Sequence, residues 1–573
     1  MKKMKKILFA IVGVTLLFSA CTKEHLPVIE QNPYRMIVEY VPASYTMEVP
    51  GNVTPDALYP WISVSQNGNT VSFTVTRNTQ DLIRRAEFSI AGQKDKFVVS
   101  QKAHGLDAKI TTALVNQGAT EVTVSSALST SYPDDYAGWG IIYSKNSDVN
   151  SGKDVPQSGA PGKTKGTVSG LEEGVDYYIW TYVLSTEGDK IVSNMLAVIA
   201  PTFVRAGEEL QKAIDDAKEF QEIRVAGGAS FTAPKGGLKL GGKNVNKSVT
   251  GGWNEDFTVQ SMDNLTKLDG AKGYGFWCAE EDGSPMKGSA TVSFFEVYNC
   301  AGDHGTAFHC VGGPITISNC YVHDNDSEKG AIGTNEGKYA TTLNVVNCIL
   351  KNNGANAHGP ALGFGEGESD SAPVRATIVG NLIVDNVSTK KDGYASTFIC
   401  YNQTELIFVN NTVVGNKNWA EYSGPYSGMV LRGDVCSVFA NNIMVGNFTS
   451  PCTKEMESPK YEPQDGFLNM GGGIGTLANN IYEGSMKEAS GVTVQDQIDF
   501  PLGGDISEIL TAEYKPVGKA VGAGTLGTLN YNSKKAAMGG PFTLDVKALL
   551  ETYPVNLAGE PRVVGGKVNA GCY

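Results

Sequence analysis

The chain has 573 residues, of which 41% are hydrophobic and 67 are glycines. It is too long for one compact domain and too apolar to be disordered, so we expect several folded domains. Its formal net charge of -13 disfavours a nucleic-acid partner, because binding to phosphates requires a basic surface.

Residues 1–20 have the pattern of an export signal. Four lysines precede an apolar run over residues 7–18, and small residues then lead to Cys21. This run is too short to span a membrane comfortably. The segment resembles the lipobox of bacterial lipoproteins, although Phe18 stands where a smaller aliphatic residue is commoner. The resemblance implies lipidation of Cys21, a lipid anchor in the outer membrane, exposure at the cell surface and a polar tether over residues 21–35.

Alternating apolar and polar residues predict a small β-sandwich over residues 36–103. Four short stretches resemble a BACON domain, a module of Bacteroidetes surface proteins associated with carbohydrate handling; they lie at residues 61–64, 78, 84–86 and 98–101. The resemblance implies a carbohydrate-related module. A simple spacer is the alternative, because no sugar-binding residue can be named.

Residues 104–203 are predicted to form a second β-sandwich. The run at residues 139–144, followed by Leu171, Gly174 and Tyr177, resembles a fibronectin type III-like domain. Tyr177 takes the place of the tyrosine-corner residue, whose hydroxyl group binds back to the backbone. The resemblance implies a rigid spacer without chemistry of its own.

An amphipathic helix is predicted near the start of the remaining region, residues 204–573. Leu210, Ile214 and Ala217 follow the spacing of one buried helix face. A solenoid needs such a cover, because its first coil otherwise leaves an unpaired edge. The helix resembles the N-terminal cap of pectate-lyase-like β-helix proteins, and residues 557–564 resemble their closing segment.

A phrase recurs between residues 299 and 480: a short β-type run, a pair of residues ending in Asn or Cys, and usually another Asn six positions after the start of the pair. The pairs stand at 299–300, 319–320, 347–348, 380–381, 410–411, 441–442 and 479–480. Asn tolerates the left-handed conformation of a tight corner, and its amide can bind the Asn of the next coil. With a second family of short strands between the phrases, the repeat predicts two or three strands per coil.

The predicted fold class is therefore all-β and multidomain, with two N-terminal β-sandwiches followed by a right-handed parallel β-helix solenoid with an N-terminal capping helix. Cysteines within the pairs are interpreted as buried filler, because a zinc site normally shows closely spaced ligands such as Cys-x-x-Cys.

Four of the six histidines fall within 55 residues of the solenoid, among carboxylates and lysines. Counting from the first residue of each pair predicts a column on successive coils, made of Asp303 with His304, His323 with Asp324, and Lys351. Counting back from the next strand predicts a second column, made of His304, Glu328 and His358, with Lys329 as the alternative to Glu328.

These residue types suit cleavage of a polysaccharide by either of two reactions. A lyase needs a base for the proton α to a uronate carboxylate, and His304, His323 and Lys351 are the candidates. It also needs a cation or metal beside that carboxylate. Asp324 and Asp326 are the candidate ligands of calcium, and we expect no other cofactor. A hydrolase needs two carboxylates, for which Asp303, Asp324 and Glu328 are the candidates.

Binding without cleavage is the alternative. Exposed aromatic rings are platforms for sugars, and lysines suit acidic ones. The candidate binding residues are His358, Lys390, Tyr401, Trp419, Tyr422 and Tyr426. We therefore predict a monomeric surface protein that binds polysaccharide. Cleavage by a lyase or glycoside hydrolase, and a non-catalytic adhesive or structural role, are both left open.

Overall fold

The computed structural model describes most of the chain from residue 32 to residue 573 as β-structure. Residues outside the description, besides 1–31, are 81–82, 104–107, 131–132, 134–135, 186–189, 243–245, 335–338, 366–372, 390–396, 402, 420–427, 432, 434, 450–461, 464–467, 470–473, 485–491 and 532–541. Within the described part, α-helix is confined to Leu210–Asp216 and Val546–Thr552. No helix in these ranges is long and apolar enough to cross a membrane.

The first sandwich packs two sheets around an apolar core that includes Val71, Phe73 and Phe97. One sheet has the strand order Arg35–Val38, Lys96–Gln101, Arg84–Ile90, Val53–Pro55, and the other has Ala43–Glu48, Thr70–Val75, Ile62–Asn67. Inward residues alternate with outward ones along Thr70–Val75, as the sequence pattern predicted.

The second sandwich has the same two-layer form. Its larger sheet contains Lys153–Gln157, Tyr136–Ser144, Tyr177–Ser185, Lys190–Val192 and Leu196–Val198, and its smaller sheet contains Thr164–Ser169, Glu121–Ser129 and Lys109–Gln117. The Tyr177 hydroxyl accepts a hydrogen bond from the backbone N–H of Glu172 at 3.1 Å, which is the predicted tyrosine corner.

A buried arginine joins the second sandwich to the solenoid. The Arg224 guanidinium lies 4.1 Å from the centre of the Trp253 ring. It donates hydrogen bonds to the carbonyl oxygens of Gln117, in the sandwich, and of Phe257, in the solenoid. Because these bonds are buried, they fix one end of the sandwich against the first coils.

The solenoid has four sheets, which we name A to D in the order in which each coil passes through them. Sheet A contains Thr202–Val204, Glu222–Ala226, Lys247–Trp253, Ala290–Ser293, Ile315–Ser318, Thr341–Val346, Val374–Val379, Thr404–Val409, Cys436–Ala440, Ile474–Ala478 and Val492–Gln495. Sheet B contains Ser230–Thr232, Thr266–Asp269, Phe295–Tyr298, Tyr321–His323, Ile349–Lys351, Leu382–Val384, Thr412–Val414, Ile443–Val445, Ile481–Glu483 and Ile498–Phe500.

Sheet C begins two coils after sheets B and D. It contains Ala301–His304, Asp326–Lys329, Gly354–His358, Val387–Ser388, Lys417–Asn418, Phe448–Thr449 and Glu462–Pro463. Sheet D contains Leu238–Lys239, Phe276–Cys278, Phe308–Cys310, Ile332–Thr334, Leu362–Phe364, Phe398–Cys400, Met429–Leu431 and Leu468–Asn469. The middle coils thus have four strands rather than the two or three that we predicted. Neighbouring coils pair in parallel, apart from the last strand of sheet C.

Six of the seven repeated pairs form the corner between sheets A and B, and the pair at 299–300 lies between sheets B and C. Their first residues adopt positive φ, at Asn319, Asn347, Gly380, Asn410, Asn441 and Asn479. Their second residues point inward and bind their counterparts one coil on; the Asn411 side chain, for example, accepts from the Asn381 backbone N–H at 2.9 Å. A second ladder, which includes Asn353 and Asn386, staples the corner between sheets B and C. The corner chemistry therefore follows the predicted asparagine ladder.

The C-terminal segment, residues 501–573, runs back along the side of the solenoid. The hairpin Thr528–Tyr531 with Phe542–Asp545, followed by helix Val546–Thr552, packs on the outer face of sheet A. Other parts cover the outer face of sheet B from Leu382 onward. The first asparagines of the pairs hold this segment: Asn347 donates to the Val555 carbonyl at 3.2 Å, and Asn410 to the Asn569 carbonyl at 2.8 Å.

Residues 557–564, expected to close the end of the solenoid, lie instead beside its middle coils. Leu557 packs with Leu382 and Val384. The Arg562 side chain binds Asn347 and the Tyr553 carbonyl. The difference arises because the first corner residues turn their amides outward, where they bind a returning segment of backbone.

Candidate functional site

The first coils of sheet B present a polar and aromatic outer face, which we call the open face. Its outward positions form two columns in register: Lys267, Glu296, Tyr321 and Ile349 in one, and Asp269, Tyr298, His323 and Lys351 in the other. From the next coil on, most of the same positions are apolar, as at Leu382, Val384 and Ile443, and the C-terminal segment buries them. The open face therefore extends about 14 Å along the solenoid axis, at the usual spacing between strands.

His323 is the most constrained side chain of the open face. Its Nε2 lies 3.1 Å from Glu296 Oε1, and its Nδ1 lies 2.7 Å from Asp324 Oδ2. The imidazole ring stacks on Tyr321 at 4.1 Å and on Tyr298 at 5.6 Å between ring centres. Both ring nitrogens thus contact carboxylates, so His323 links Glu296 to Asp324 and has neither nitrogen left for direct contact with a substrate.

Two tyrosines provide hydroxyl groups and ring faces beside His323. Burial and then the neighbouring carboxylates Asp269 and Glu296 raise the pKa of Tyr298. Burial, Asp324 and Glu296 do the same to the pKa of Tyr321. Both hydroxyls therefore stay protonated near neutral pH and can donate hydrogen bonds to sugar oxygens.

Lysines flank the cluster at each end. Lys267 Nζ lies 3.7 Å from Glu296 Oε2, and Lys351 Nζ lies 4.0 Å from Asp385 Oδ2. These contacts are long and partly exposed, so they contribute little to stability and leave the ammonium groups available to a ligand.

The predicted calcium ligands, Asp324 and Asp326, do not form a metal site with other acidic side chains of the described residues. Asp324 is engaged with His323, and Asp326 is exposed at the start of its strand in sheet C. Among the described residues, no group of three or more His, Cys, Asp or Glu side chains is placed to hold a metal ion. The eight described cysteines are buried and unpaired by disulfides, and burial raises the pKa of Cys300 to about 12. Such thiols fill space as neutral groups.

A column of basic side chains lies in sheet C. The register pairs His304 with Lys329, and Lys329 with His358. Glu328 is outside this column, so the first form of our prediction is wrong and its alternative, Lys329, is correct. Two residues separate His304 from Ala307 but only one separates Lys329 from Ala331, so counting back from the next strand slips by one position in that coil. The strand Gly354–His358 has an extra residue of its own, between Ala355 and His358.

The expected stacking of Asp303 and His304 with His323 and Asp324 is also wrong. Asn299 pairs with the second corner, because its N–H donates to the Asp324 carbonyl, and Cys300 donates to the Asn325 side chain at 2.9 Å. The first corner of that coil is Phe294, at φ 60°, with no Asn to mark it. Lys351 is in register with His323 on the next coil, as predicted. Of the candidate catalytic residues, His323 and Lys351 thus lie on the open face and His304 lies in the basic column, whereas Asp303 and Glu328 lie on the strands of sheet C outside that column.

An aromatic stack adjoins the basic column in sheet D. The His309 ring lies 4.1 Å from Trp277 in a parallel stack, and Tyr274 meets both rings edge-on. His309 Nδ1 contacts the His304 carbonyl at 2.9 Å. Burial lowers the pKa of His309, which favours the neutral imidazole. The sequence analysis selected none of these three residues as a candidate.

The predicted binding residues are dispersed. Tyr401 is only 8% exposed and packs with Ile399 and Val430, with Lys329 Nζ 6.0 Å from its ring centre. Trp419 is half-buried after the short strand Lys417–Asn418. Lys390, Tyr422 and Tyr426 lie outside the described residues, as does Cys21. Glu296, Tyr298 and Tyr321, which the sequence analysis did not select, form the core of the open face.

No protein-family model matches this chain, and no curated protein matches it. Among solved structures it is similar to the family 28 exopolygalacturonase of Yersinia enterocolitica, with 11% identity over 72% of this chain and 100% of that one, at a TM-score of 0.16. It is also similar to pectate lyase PelI of Erwinia chrysanthemi, with 12% identity over 69% and 91% of the two chains and a TM-score of 0.14.

The sandwiches have a comparable counterpart. The FN1–FN3 domains of chicken CNTN1 show 13% identity over 24% of this chain at a TM-score of 0.16, and the match spans about half of that chain, 54%. At TM-scores this low, the strand order and register of the chain itself define its fold.

Proposed function

We propose that this protein binds polysaccharide along the open face of sheet B. The observation that carries the proposal is the ring pair Tyr298 and Tyr321 around His323, on the only described stretch of this sheet's outer face that the C-terminal segment leaves uncovered. Aromatic rings accept the apolar faces of sugars, and the surrounding charges can bind hydroxyl and carboxylate groups.

The geometry favours an extended ligand over a compact one. Successive coils repeat the outward positions at the strand spacing, so a chain lying along the axis meets equivalent positions on each coil. Glu296 contacts both His323 and Lys267, and Lys351 lies beside Asp385 at the other end of the face. The carboxylates of the face are at least as numerous as its lysines, so net charge does not select an acidic polymer over a neutral one.

Replacing both rings tests the proposal. Tyr298→Ala with Tyr321→Ala should weaken binding to a recognised polysaccharide about 3-fold to 10-fold for each ring, on the scale of aromatic contacts. Tyr321→Phe is the matched control, because it keeps the ring and should keep most of the affinity. Affinity electrophoresis against a panel of acidic and neutral polysaccharides provides the measurement. Unchanged retention of the double variant would contradict the proposal.

Cleavage is a second candidate, favoured by the basic column His304, Lys329 and His358. A β-elimination needs a base and a cation beside the uronate carboxylate, and three basic side chains on successive coils offer both. His304→Ala or Lys329→Ala should then abolish the release of unsaturated uronate ends, measured by their ultraviolet absorbance. Glu328→Ala, on the same strand but outside the column, should leave it intact. An equal loss in all three variants would argue against a role for the column.

The protein is further proposed to work as a monomeric lipoprotein, anchored in the outer membrane and exposed at the cell surface through a lipid on Cys21. The export-type N-terminus supports this proposal. Metabolic labelling with a fatty acid should mark the wild-type protein and not the Cys21→Ser variant. Labelling of both proteins alike would place the lipid elsewhere.

A further inference from the structure

A cavity of about 720 Å³ opens in the C-terminal segment, outside both sites described above. Three of the residues that line it are cations, Lys515, Arg562 and Lys567, whereas Glu560 is the only acidic side chain among them. The chain as a whole carries a formal charge of -13. A locally cationic cavity in an acidic protein is the arrangement expected where an anion binds.

Arg562 is held rigidly at the base of the cavity. Its Nε donates to the Tyr553 carbonyl at 2.9 Å, and its Nη2 donates to the Asn347 side chain. The corner residue beside it is Gly380, at φ 70°, where any Cβ would collide with the guanidinium. The glycine therefore replaces the usual corner asparagine to admit the arginine.

One end of the guanidinium remains for a ligand. Among the described residues, Nη1 of Arg562 takes part in no hydrogen bond, and no carboxylate pairs with this side chain, which is only 6% exposed. Burial without a carboxylate partner lowers the pKa of Arg562 to about 10. The group nevertheless stays charged at neutral pH, so its charge is poorly neutralised by the protein itself.

The rim of the cavity combines exposed lysines with exposed apolar side chains. Lys515 and Lys567 are exposed and form no ion pair within the described ranges. Val521 and Val564, which also line the cavity, are 59% and 68% exposed. A cavity of this volume exceeds the needs of an inorganic anion, and its mixture of cations with apolar side chains suits a small ring that carries a carboxylate.

The cavity lies next to the open face. Tyr573, which lines it, belongs to the same apolar cluster as Ile349 and Leu382, and Ile349 pairs directly with Tyr321. A bound sugar would therefore lie within a few strand spacings of the aromatic cluster.

From this geometry we infer that the cavity is a second binding site, specific for a carboxylate-bearing sugar such as a uronate, with Arg562, Lys515 and Lys567 as its anion-binding groups. The inference goes beyond the proposed function, because a monosaccharide is sufficient to occupy the cavity and neither cleavage nor the open face is required.

Isothermal titration of the purified full chain with galacturonate tests the inference, with galactose, inorganic phosphate and inorganic sulfate as comparison ligands. The wild-type protein should bind galacturonate at least about 10-fold more tightly than galactose, given the strength of charge-assisted hydrogen bonds. The double variant Lys515→Gln with Lys567→Gln should lose about 10-fold or more of this affinity. Its matched control is Lys519→Gln with Lys547→Gln, which removes the same charge from exposed positions of the same segment outside the cavity, and it should bind like the wild type.

Each contrary outcome is informative. Equal affinity for galactose and galacturonate, or unchanged binding in the Lys515/Lys567 double variant, would overturn the inference. Tighter binding of phosphate or sulfate than of galacturonate would overturn it in favour of an inorganic-anion site. The Tyr298/Tyr321 double variant should still bind galacturonate here. The absence of galacturonate binding at the cavity is therefore distinguishable from the absence of polysaccharide binding at the open face.

Discussion

Replacing Asn411 by alanine should destabilise the solenoid far more than replacing Cys348, which occupies the same ladder two coils earlier. The Asn411 side chain accepts from both the backbone N–H and the side-chain amide of Asn381, each at 2.9 Å. It also donates to the Ile378 carbonyl at 2.9 Å. All of these groups are buried, and each one left without a partner costs about 1–3 kcal/mol.

Two orphaned donors alone therefore predict a loss of about 2–6 kcal/mol for Asn411→Ala. Cys348→Ala removes only a thiol with weak contacts, because the backbone N–H of this residue keeps its 2.8 Å bond to Asn381, so about 1 kcal/mol is expected. Calorimetry is the appropriate assay, since a multidomain chain shows several transitions and the one belonging to the solenoid has to be followed. Equal losses in the two variants would refute the ladder as the source of corner stability.

Two further predictions concern pH and the C-terminal segment. Burial lowers the pKa of His309 below its ordinary value of 6.5, so the imidazole binds a proton more readily in the unfolded chain than in the folded one. The contribution of the neutral His309 to folding stability is therefore full above about pH 6.5, and it is lost as the pH falls toward the folded-state pKa. His309→Phe, which preserves the stack on Trp277, should flatten that part of the profile of unfolding temperature against pH, and an unchanged profile would assign the effect to other groups. Arg562→Met should cost about 2 kcal/mol, because it leaves the Tyr553 carbonyl and the Asn347 side-chain oxygen without the donor that they share. Limited proteolysis should then cleave the C-terminal segment faster, and a cleavage rate equal to that of the wild type would show that Arg562 does not secure it.

The fold was largely predictable because its corners use local chemistry. A tight corner requires positive φ, and a stacked amide requires Asn, so residues such as Asn319 and Asn411 mark the coils in the sequence itself. The register failed where that mark was absent or ambiguous. Phe294 makes a first corner without Asn, and the pair at 299–300 therefore reads as a first corner although it forms the second.

The candidate site was less predictable because it depends on contacts that are distant in sequence. Leu382 and Val384 face outward, yet they are as apolar as core residues because the C-terminal segment covers them. The polar stretch from Glu296 to Lys351 can be recognised as the uncovered part of the sheet only when the position of the C-terminal segment is known, and local sequence does not reveal that position. The exchange of Glu328 for Lys329 arises because the corner before Ala331 is one residue shorter than the corner before Ala307, a difference that residue composition does not reveal.

The return of the C-terminal segment has a consequence for how the molecule matures. Arg562 binds Asn347 across 215 positions of sequence, and Cys572 binds Thr412 across 160. Contacts of this separation form late, because the intervening chain has to be ordered first. Coils can stack one upon another as the chain is synthesised, but the apolar outer faces of sheets A and B remain exposed to solvent until the C-terminal residues are available to cover them. A chain stopped shortly before residue 501 would therefore keep its coils and expose a broad apolar flank, making it prone to aggregate rather than to unfold.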